Sequence, residues 1–374
     1  MPEPVKLQAG VSTTSLTGAT AAWDDVRLMT ETAAPQLRVG IIGFGYWGPN
    51  LARNFTTCAT TRLVSVADLS PARRKAVAVQ YPWAAVHEDP DAILRDPDID
   101  AVAIATPLFT HHPLAKAALE AGKHVLIEKP LAPSVRECEE LAALAERHGR
   151  VLMVDHTFVY TAAVRKIREL IEGGHLGRVL YFDSVRINLG LFQPDFNVIW
   201  DLAPHDLSIM DFVLAQAFGA SPRWVSATGV SHYGRHESLA YLTIGFDDGL
   251  IAHIHVNWVA PVKTRRIIIA GTKRMLVYDD TLPTEPIKLY ESSVDVQSID
   301  RESAYHLNVQ YRTGDVLSPK LDGKEALGLV ASTFAAACQK GQSSPSDVAA
   351  GIRVVRVLEA AQRSLEQQGA RVAV

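Results

Sequence analysis

"LRVGIIGFGYWGPN", residues 37–50, is an apolar run that breaks into three glycines, Gly43, Gly45 and Gly48, and then offers a helix start. A short apolar run reads as a buried strand, and a glycine turn leading into a helix reads as G-x-G-x-x-G. Alone that pattern is weak. Asp68 strengthens it, because it stands about 20 residues further on at the end of the next apolar run, "SVADLS". The glycines let backbone approach a pyrophosphate, and the helix start adds N–H donors and a positive dipole end. Phe44, Tyr46 and Trp47 fill the same loop and belong to the predicted cofactor site. Asp68 would accept from an adenosine ribose hydroxyl and repel a 2′-phosphate, which favours NAD over NADP. Arg73 and Arg74 lie close by in sequence and would suit that phosphate if their loop turned inward.

Outward from this stretch, short apolar runs ("RLVSVAD", "DAVAIAT", "HVLIE", "RVLMVD") alternate with helix-length amphipathic segments. That rhythm predicts an α/β Rossmann domain over 37–157, a parallel doubly wound sheet with helices on both faces. Gly122 and Gly149 sit where left-handed helix caps belong. From 158 onward one helix precedes a series of strand-like runs, with "FDDG" (246–249) as a hairpin turn and two closing helices near 324–340 and 346–368. This half, 158–374, reads as an α+β domain with a large open, mostly antiparallel sheet. Few helices remain to cover its second face, so a partner subunit is the expected cover. Residues 1–36, rich in Ala, Thr and Ser, read as an extension that is flexible alone or docks as an arm on a neighbouring subunit.

The 374 residues suit two domains. A formal charge of −4 gives no basic field, which argues against nucleic acid and anionic membrane as partners. No apolar run reaches the ~18 residues of a membrane span, and the start lacks a secretory signal pattern. Cys58, Cys138 and Cys338 are odd in number and far apart, as reduced thiols in a cytoplasm would be.

Three stretches together resemble the Gfo/Idh/MocA oxidoreductases, the glucose–fructose oxidoreductase and inositol dehydrogenase family. They are "VGIIGFGYWG", "AIATPLFTHHPLAKAALEAGKHVLIEKP" (103–130) and "WDLAPHD" (200–206). The resemblance runs from residue 37 to about 368. It implies NAD(P)-dependent oxidation or reduction of a secondary carbinol on a sugar, cyclitol or sugar nucleotide, and dimers or tetramers built through the second domain's sheet. The family's Glu-Lys-Pro motif falls on Glu128, Lys129 and Pro130, and its Asp-x-x-x-His pair on Asp201 and His205.

Such chemistry needs a group to take the hydroxyl proton and a cation beside the developing alkoxide. His205 suits the first task and Lys129 the second; burial beside a cationic nicotinamide would lower the lysine's pKa, letting it share the proton. Asp201 and His205 share a helix face, so the carboxylate is expected to orient the imidazole, with Pro204 placing both near a helix N-terminus. Thr106 and Pro107 end a strand where cofactor contacts belong, and the resemblance puts His111 beside them. Glu128 either holds Lys129 or lines the nicotinamide pocket, and His156 is a candidate for its wall. Arg186, Asn188, Asn257 and Lys263 flank strand ends; they bind substrate hydroxyls or phosphates, or are solvated or structural polar residues. His253 and His255 share a strand face, yet no third ligand matches them, so no metal is expected.

"RINLGLFQPDFNVIWDLAPHDLSI" and "YRTGDVLSPKLDGKEAL" look most like the branch acting on nucleotide-linked or amino sugars in polysaccharide or antibiotic pathways. The expected reaction is NAD-dependent redox at a sugar hydroxyl, C3 being the expected carbon. Inositol or cyclitol dehydrogenation, a redox-recycling lyase or glycosidase, and a nucleotide-sensing regulator without catalysis are the competing readings. Retention of Lys129 and His205 argues against the last.

Overall fold

Apolar side chains at every position of β4 (Ala101–Ile104) leave that strand no route to solvent, and it lies at the centre of a six-stranded parallel sheet. The structure is a computed structural model and describes residues 35–190, 192–291, 293–296, 309–312 and 314–374. Of the expected extension, residues 1–34 lie outside the described residues. The sheet comprises β1 (Leu37–Ile42), β2 (Thr61–Ala67), β3 (Ala85–His87), β4, β5 (His124–Glu128) and β6 (Leu152–Asp155). Their order is β3-β2-β1-β4-β5-β6, all parallel. Its helices are α1 (Gly48–Thr57), α2 (Pro71–Gln80), the short α3 (Asp91–Leu94), α4 (His111–Glu120) and α5 (Val135–Arg147). Gly122 and Gly149 follow α4 and α5 with φ of +74° and +59°, the left-handed conformation expected of them. Ser134 caps α5, accepting from the Glu137 N–H while donating to that residue's carboxylate. Strand order reverses between β1 and β4, which opens a crevice at their carboxyl ends.

After α6 (Ala162–Glu172) come β7 (Val179–Leu189) and α7 (Val198–Met210); a π-helical turn over 211–215 links α7 to the short α8 (Gln216–Phe218). The second sheet adds β8 (Pro222–Val230), β9 (Leu239–Phe246), β10 (Ile251–Asn257), β11 (Val259–Gly271), β12 (Met275–Asp279) and β13 (Ile287–Tyr290). A separate two-stranded ribbon pairs β14 (Ser293–Val296) with β15 (Val309–Arg312); then come β16 (Val316–Leu317), α9 (Ala326–Lys340), α10 (Val348–Glu366) and β17 (Val372–Ala373). The nine-stranded order is β16-β13-β12-β11-β7-β10-β9-β8-β17. Every pairing is antiparallel except β7 with β10, which run parallel at its centre.

Alternation along β10 sends Ala252, Ile254 and Val256 inward, toward α7, and turns Ile251, His253 and His255 to the opposite face. There Tyr241 stacks against both imidazoles, at 6.0 Å from His253 and 4.4 Å from His255. Among the described residues no group of three or more His, Cys, Asp or Glu side chains is gathered to hold a metal ion. Nor is any described helix long and apolar enough to cross a membrane. The last two helices tie the two sheets together. α9 returns to the parallel sheet, setting Phe334 edge-on to Phe55 of α1, while α10 packs on α5, α7 and β8.

Candidate active site

The three glycines of the opening loop do different work. Gly43 has φ of +95°, and a Cβ there would lie 2.5 Å from the Ala105 carbonyl oxygen. A Cβ on Gly48 would meet the Gly43 oxygen at 2.3 Å, so this glycine lets α1 press onto the turn. Gly45 is open; its nearest neighbour would be the Arg73 guanidinium at 3.6 Å. Two glycines therefore shape the loop and the third leaves backbone bare, as a pyrophosphate site requires. Asp68 Oδ2 accepts the Phe44 N–H at 2.7 Å and Oδ1 accepts the Ser70 N–H at 2.8 Å. Arg73 Nη1 stands 3.5 Å from the same carboxylate, half exposed. Arg74 is committed elsewhere, donating to the Asp68 and Leu69 carbonyls and pairing with Glu88. Phe44 is buried, Tyr46 projects into solvent, and Trp47 Nε1 donates to Asp155 Oδ2 at 3.0 Å. That last bond ties the glycine loop to the end of β6.

At the neighbouring strand ends, His111 is not a free loop residue: it opens α4, buried, with its ring nitrogens 3.0 Å from the Thr106 oxygen and 2.9 Å from the Pro130 oxygen. It braces Thr106 and Pro130 while still lining the cavity beside them. Glu128 and Asp155 face each other in register. Burial, then the Asp155 charge, raises the Glu128 carboxyl well above its usual range, and Oε1 is enclosed without a hydrogen-bond partner. His156 is buried, both ring nitrogens unpartnered among the described residues, and that burial lowers its pKa to about 4.

Lys129 follows, joined to Pro130 by a cis peptide bond. Its ammonium donates to the Asp201 backbone oxygen at 2.7 Å and lies 3.4 Å from Oδ1. Asp201 sits in the first turn of α7, whose N-cap is Asn197; that side chain accepts from the Ile199 and Trp200 N–H groups, a cap worth ~1 kcal/mol. Pro204 lies a turn deeper than expected, inside the helix. The expected Asp201–His205 bond is absent, because the second carboxylate oxygen is taken by Trp258 Nε1 at 2.9 Å. His205 instead meets Phe158 edge-on, ring centroids 5.0 Å apart at 70°. Burial first, then the charges of Lys129, Arg186 and Arg265, hold its pKa well below the usual histidine value. The Lys129 charge thus acts directly on a histidine whose neutral form its surroundings favour.

The remaining predicted residues divide. Arg186 is buried and forms a two-pronged pair with Asp206, at 2.7 and 3.0 Å, so it has no donor fork to offer a substrate. Asn257 is buried too, its side chain accepting the Val259 N–H at 2.6 Å in the turn between β10 and β11. Asn188 is half-buried and Lys263 exposed. A cavity of about 350 Å³ runs between Thr106, Pro107 and Lys129 on one side and Gln193, Asp195 and Trp200 on the other. Beside Trp258 stand two exposed aromatic rings, Phe192 at 5.6 Å and, beyond it, Tyr233 at 6.1 Å from Phe192. Their loops are laced by the His236 ring to the Pro194 oxygen (3.1 Å), Asn197 to Glu237 (3.0 Å) and the Trp258 N–H to the Ser238 oxygen (2.9 Å).

Two family models account for most of this architecture. One, described as an oxidoreductase family with an NAD-binding Rossmann fold, matches residues 37–156; the companion C-terminal domain matches 164–277. The chain belongs to the Gfo/Idh/MocA oxidoreductase family. A family member, UDP-N-acetylglucosamine 3-dehydrogenase of Acidithiobacillus ferrooxidans, is 30% identical over 246 residues, 65% of this chain and 74% of that one. Another curated relative, 1-carboxy-3-chloro-3,4-dihydroxycyclohexa-1,5-diene dehydrogenase of Comamonas testosteroni, is 29% identical over 232 residues. That match spans 58% of this chain and little more than half, 57%, of the relative. Among solved structures, GenD2 from gentamicin A biosynthesis in complex with NAD superposes with a TM-score of 0.76 at 25% identity, covering 91% of this chain and 97% of that one.

Reading the sequence missed Trp258, Phe158, Asp155 and Arg265. Each is a residue type that usually means core or surface, and only the fold brings them to Asp201, Trp47 and His205.

Proposed function

We propose that this chain catalyses NAD-dependent oxidation or reduction of a secondary hydroxyl or ketone, at C3, on a sugar, nucleotide sugar or aminoglycoside-type substrate. The observation that carries the reading is the Lys129 ammonium, moored on Asp201 just past the end of β5 and close enough to His205 for its charge to lower that imidazole's pKa. Bound NAD supplies the hydride acceptor. Gly43, Gly45, Gly48 and Asp68 would hold it, with Phe44, Trp47, Thr106 and Pro107 shaping the walls. Glu128 and His156, which have buried atoms without partners among the described residues, would line the nicotinamide pocket. In the oxidative direction His205 takes the hydroxyl proton while Lys129 stabilises the developing alkoxide. Asp201 holds Lys129 in place. The part of the substrate beyond the reacting ring would extend along Phe192 and Tyr233.

The relatives' names support a sugar or cyclitol substrate, and the UDP-linked and gentamicin-pathway members support the larger ones. We further propose that residues 37–157 form the cofactor domain and 158–374 the substrate and assembly domain. A second copy would cover the sheet face bearing Tyr241, His253 and His255. The free thiols Cys58, Cys138 and Cys338 fit a cytoplasmic setting.

The test is a panel of sugar nucleotides, aminoglycosides and cyclitols, read by absorbance of reduced nicotinamide. Net reduction of added NAD separates a dehydrogenase from a recycling lyase, which leaves cofactor unchanged. Lys129→Ala and His205→Ala should each lower turnover by a factor on the order of 10²–10⁴ while NAD affinity stays near normal. Full turnover in both variants would overturn the assignment.

A further inference from the structure

We infer that Phe158 is the positioning residue for His205, its ring held in a clamp of that imidazole and the Arg186 and Arg265 guanidiniums. The inference rests on the reading of His205 as the proton acceptor. An imidazole that must meet a hydroxyl needs a fixed orientation, and a hydrogen bond to a carboxylate usually provides it. Here Asp201 is committed to Lys129 and Trp258, and no described residue gives the His205 ring a hydrogen bond. What touches the ring is Phe158, edge-to-face.

The clamp has a rigid back. Arg186 Cζ lies 4.6 Å from the Phe158 centroid and Arg265 Cζ 5.8 Å from it. These two arginines are register partners on β7 and β11. Asp206 holds Arg186 by two bonds, and Asp280 accepts from Arg265 at 3.0 Å. Asp206 is also the residue after His205, so the contacts close a ring: α7 to Arg186, Arg186 to Phe158, Phe158 to His205 and back to α7. The turn carrying Phe158 is fixed as well, by Thr157 Oγ1 on Asp155 at 2.6 Å and the Thr161 N–H on the Phe158 oxygen at 3.1 Å.

The charged and titratable groups around His205 come from every neighbouring element: Lys129 just past β5, His156 beyond β6, Arg186 from β7 and Arg265 from β11. The carboxylates Asp201, Asp206 and Asp280 each pair with one of those cations instead of with the imidazole. Phe158, itself half-buried, covers part of the His205 ring by its edge-to-face contact. Enclosure and cations both disfavour the imidazolium, so the ring is available to accept a proton.

The test is Phe158→Leu, with Phe158→Tyr as the ring-retaining control, followed by turnover and by NMR titration of labelled histidines, with His205→Asn assigning the signal. Phe158→Leu should lower turnover about tenfold or more, leave NAD affinity unchanged and move the His205 titration midpoint upward, toward the ordinary value. Phe158→Tyr should keep both close to wild type. An unchanged midpoint and turnover in Phe158→Leu would overturn the inference. Should that variant not fold, Phe158→Met, which keeps bulk and loses the flat ring, is measured instead; an unchanged midpoint and turnover overturn it equally. Full activity in His205→Asn would sink the proton-acceptor reading alone, since the titration still reports whether Phe158 governs the ring.

Discussion

Removing the carboxylate of Asp206 should cost this protein more stability than removing any surface acid. The Arg186 and Asp206 side chains are only 4% and 2% exposed, and both bonds are short, at 2.7 and 3.0 Å. Two opposite charges buried together recover most of their desolvation cost from each other; one left alone cannot. Asp206→Asn keeps the shape but leaves the guanidinium without its charge partner, in a place water does not reach. The expected loss is about 3–5 kcal/mol, a fall of several degrees in Tm. The internal control is Asp91→Asn, which breaks the Arg95–Asp91 pair at a site where the side chains are 82% and 51% exposed; its Tm should hardly move. Arg186→Met combined with Asp206→Leu should recover most of the loss, because it removes both charges together. Urea denaturation and thermal melts of the four proteins read this directly. If Asp206→Asn melts where Asp91→Asn does, the buried pair is not a fixed point of the fold.

Gly45→Ala should melt like the wild type yet bind NAD at least about tenfold more weakly, ~1.4 kcal/mol, since its Cβ fits the protein but not the pyrophosphate path; Gly48→Ala should lose stability as well, because its Cβ meets the Gly43 oxygen at 2.3 Å. Equal NAD affinity in Gly45→Ala, by Trp fluorescence titration, would contradict this loop assignment. Stability should decline in acid. His156 titrates at about 4 in the fold against 6.5 ordinarily, so its stabilisation is whole above pH 6.5 and is lost as pH falls toward 4. The unfolded chain takes up the proton first, and the loss amounts to ~3 kcal/mol. His156→Gln should flatten the Tm profile over that window; an equally steep profile would count against it. Phe192→Ala should raise KM several-fold for extended substrates while sparing kcat and small fragments, and equal kinetics on both would exclude the aromatic edge from binding.

The Rossmann half was legible because its code is local. Buried parallel strands must be apolar along their interior, as β4 and the middle of β5 are, and their helices end at Gly122 and Gly149 where left-handed backbone is needed. Three-residue β3 carries too little pattern to announce itself. In the second half the strands could be read but not their order. That β7 lies parallel to β10 is decided by packing between runs far apart in the chain. The candidate site divides the same way. Gly43, Gly48 and Lys129 could be placed by motif and family resemblance, whereas the partner of Asp201 is Trp258, 57 residues along the chain. Arg186 looked like a ligand-binding cation because sequence cannot show that Asp206 reaches it across the fold.

Lys129 rests on a main-chain oxygen of Asp201, not principally on its carboxylate. A backbone carbonyl is present whatever residue occupies the position, so no substitution at 201 deletes the shorter of the two contacts. Alanine scanning would therefore understate how firmly the amine is anchored. An engineer could vary residue 201 to retune polarity around the lysine and keep its mooring, provided the start of α7 stays in place. The vulnerable point lies upstream, at the Asn197 cap that fixes where the helix begins.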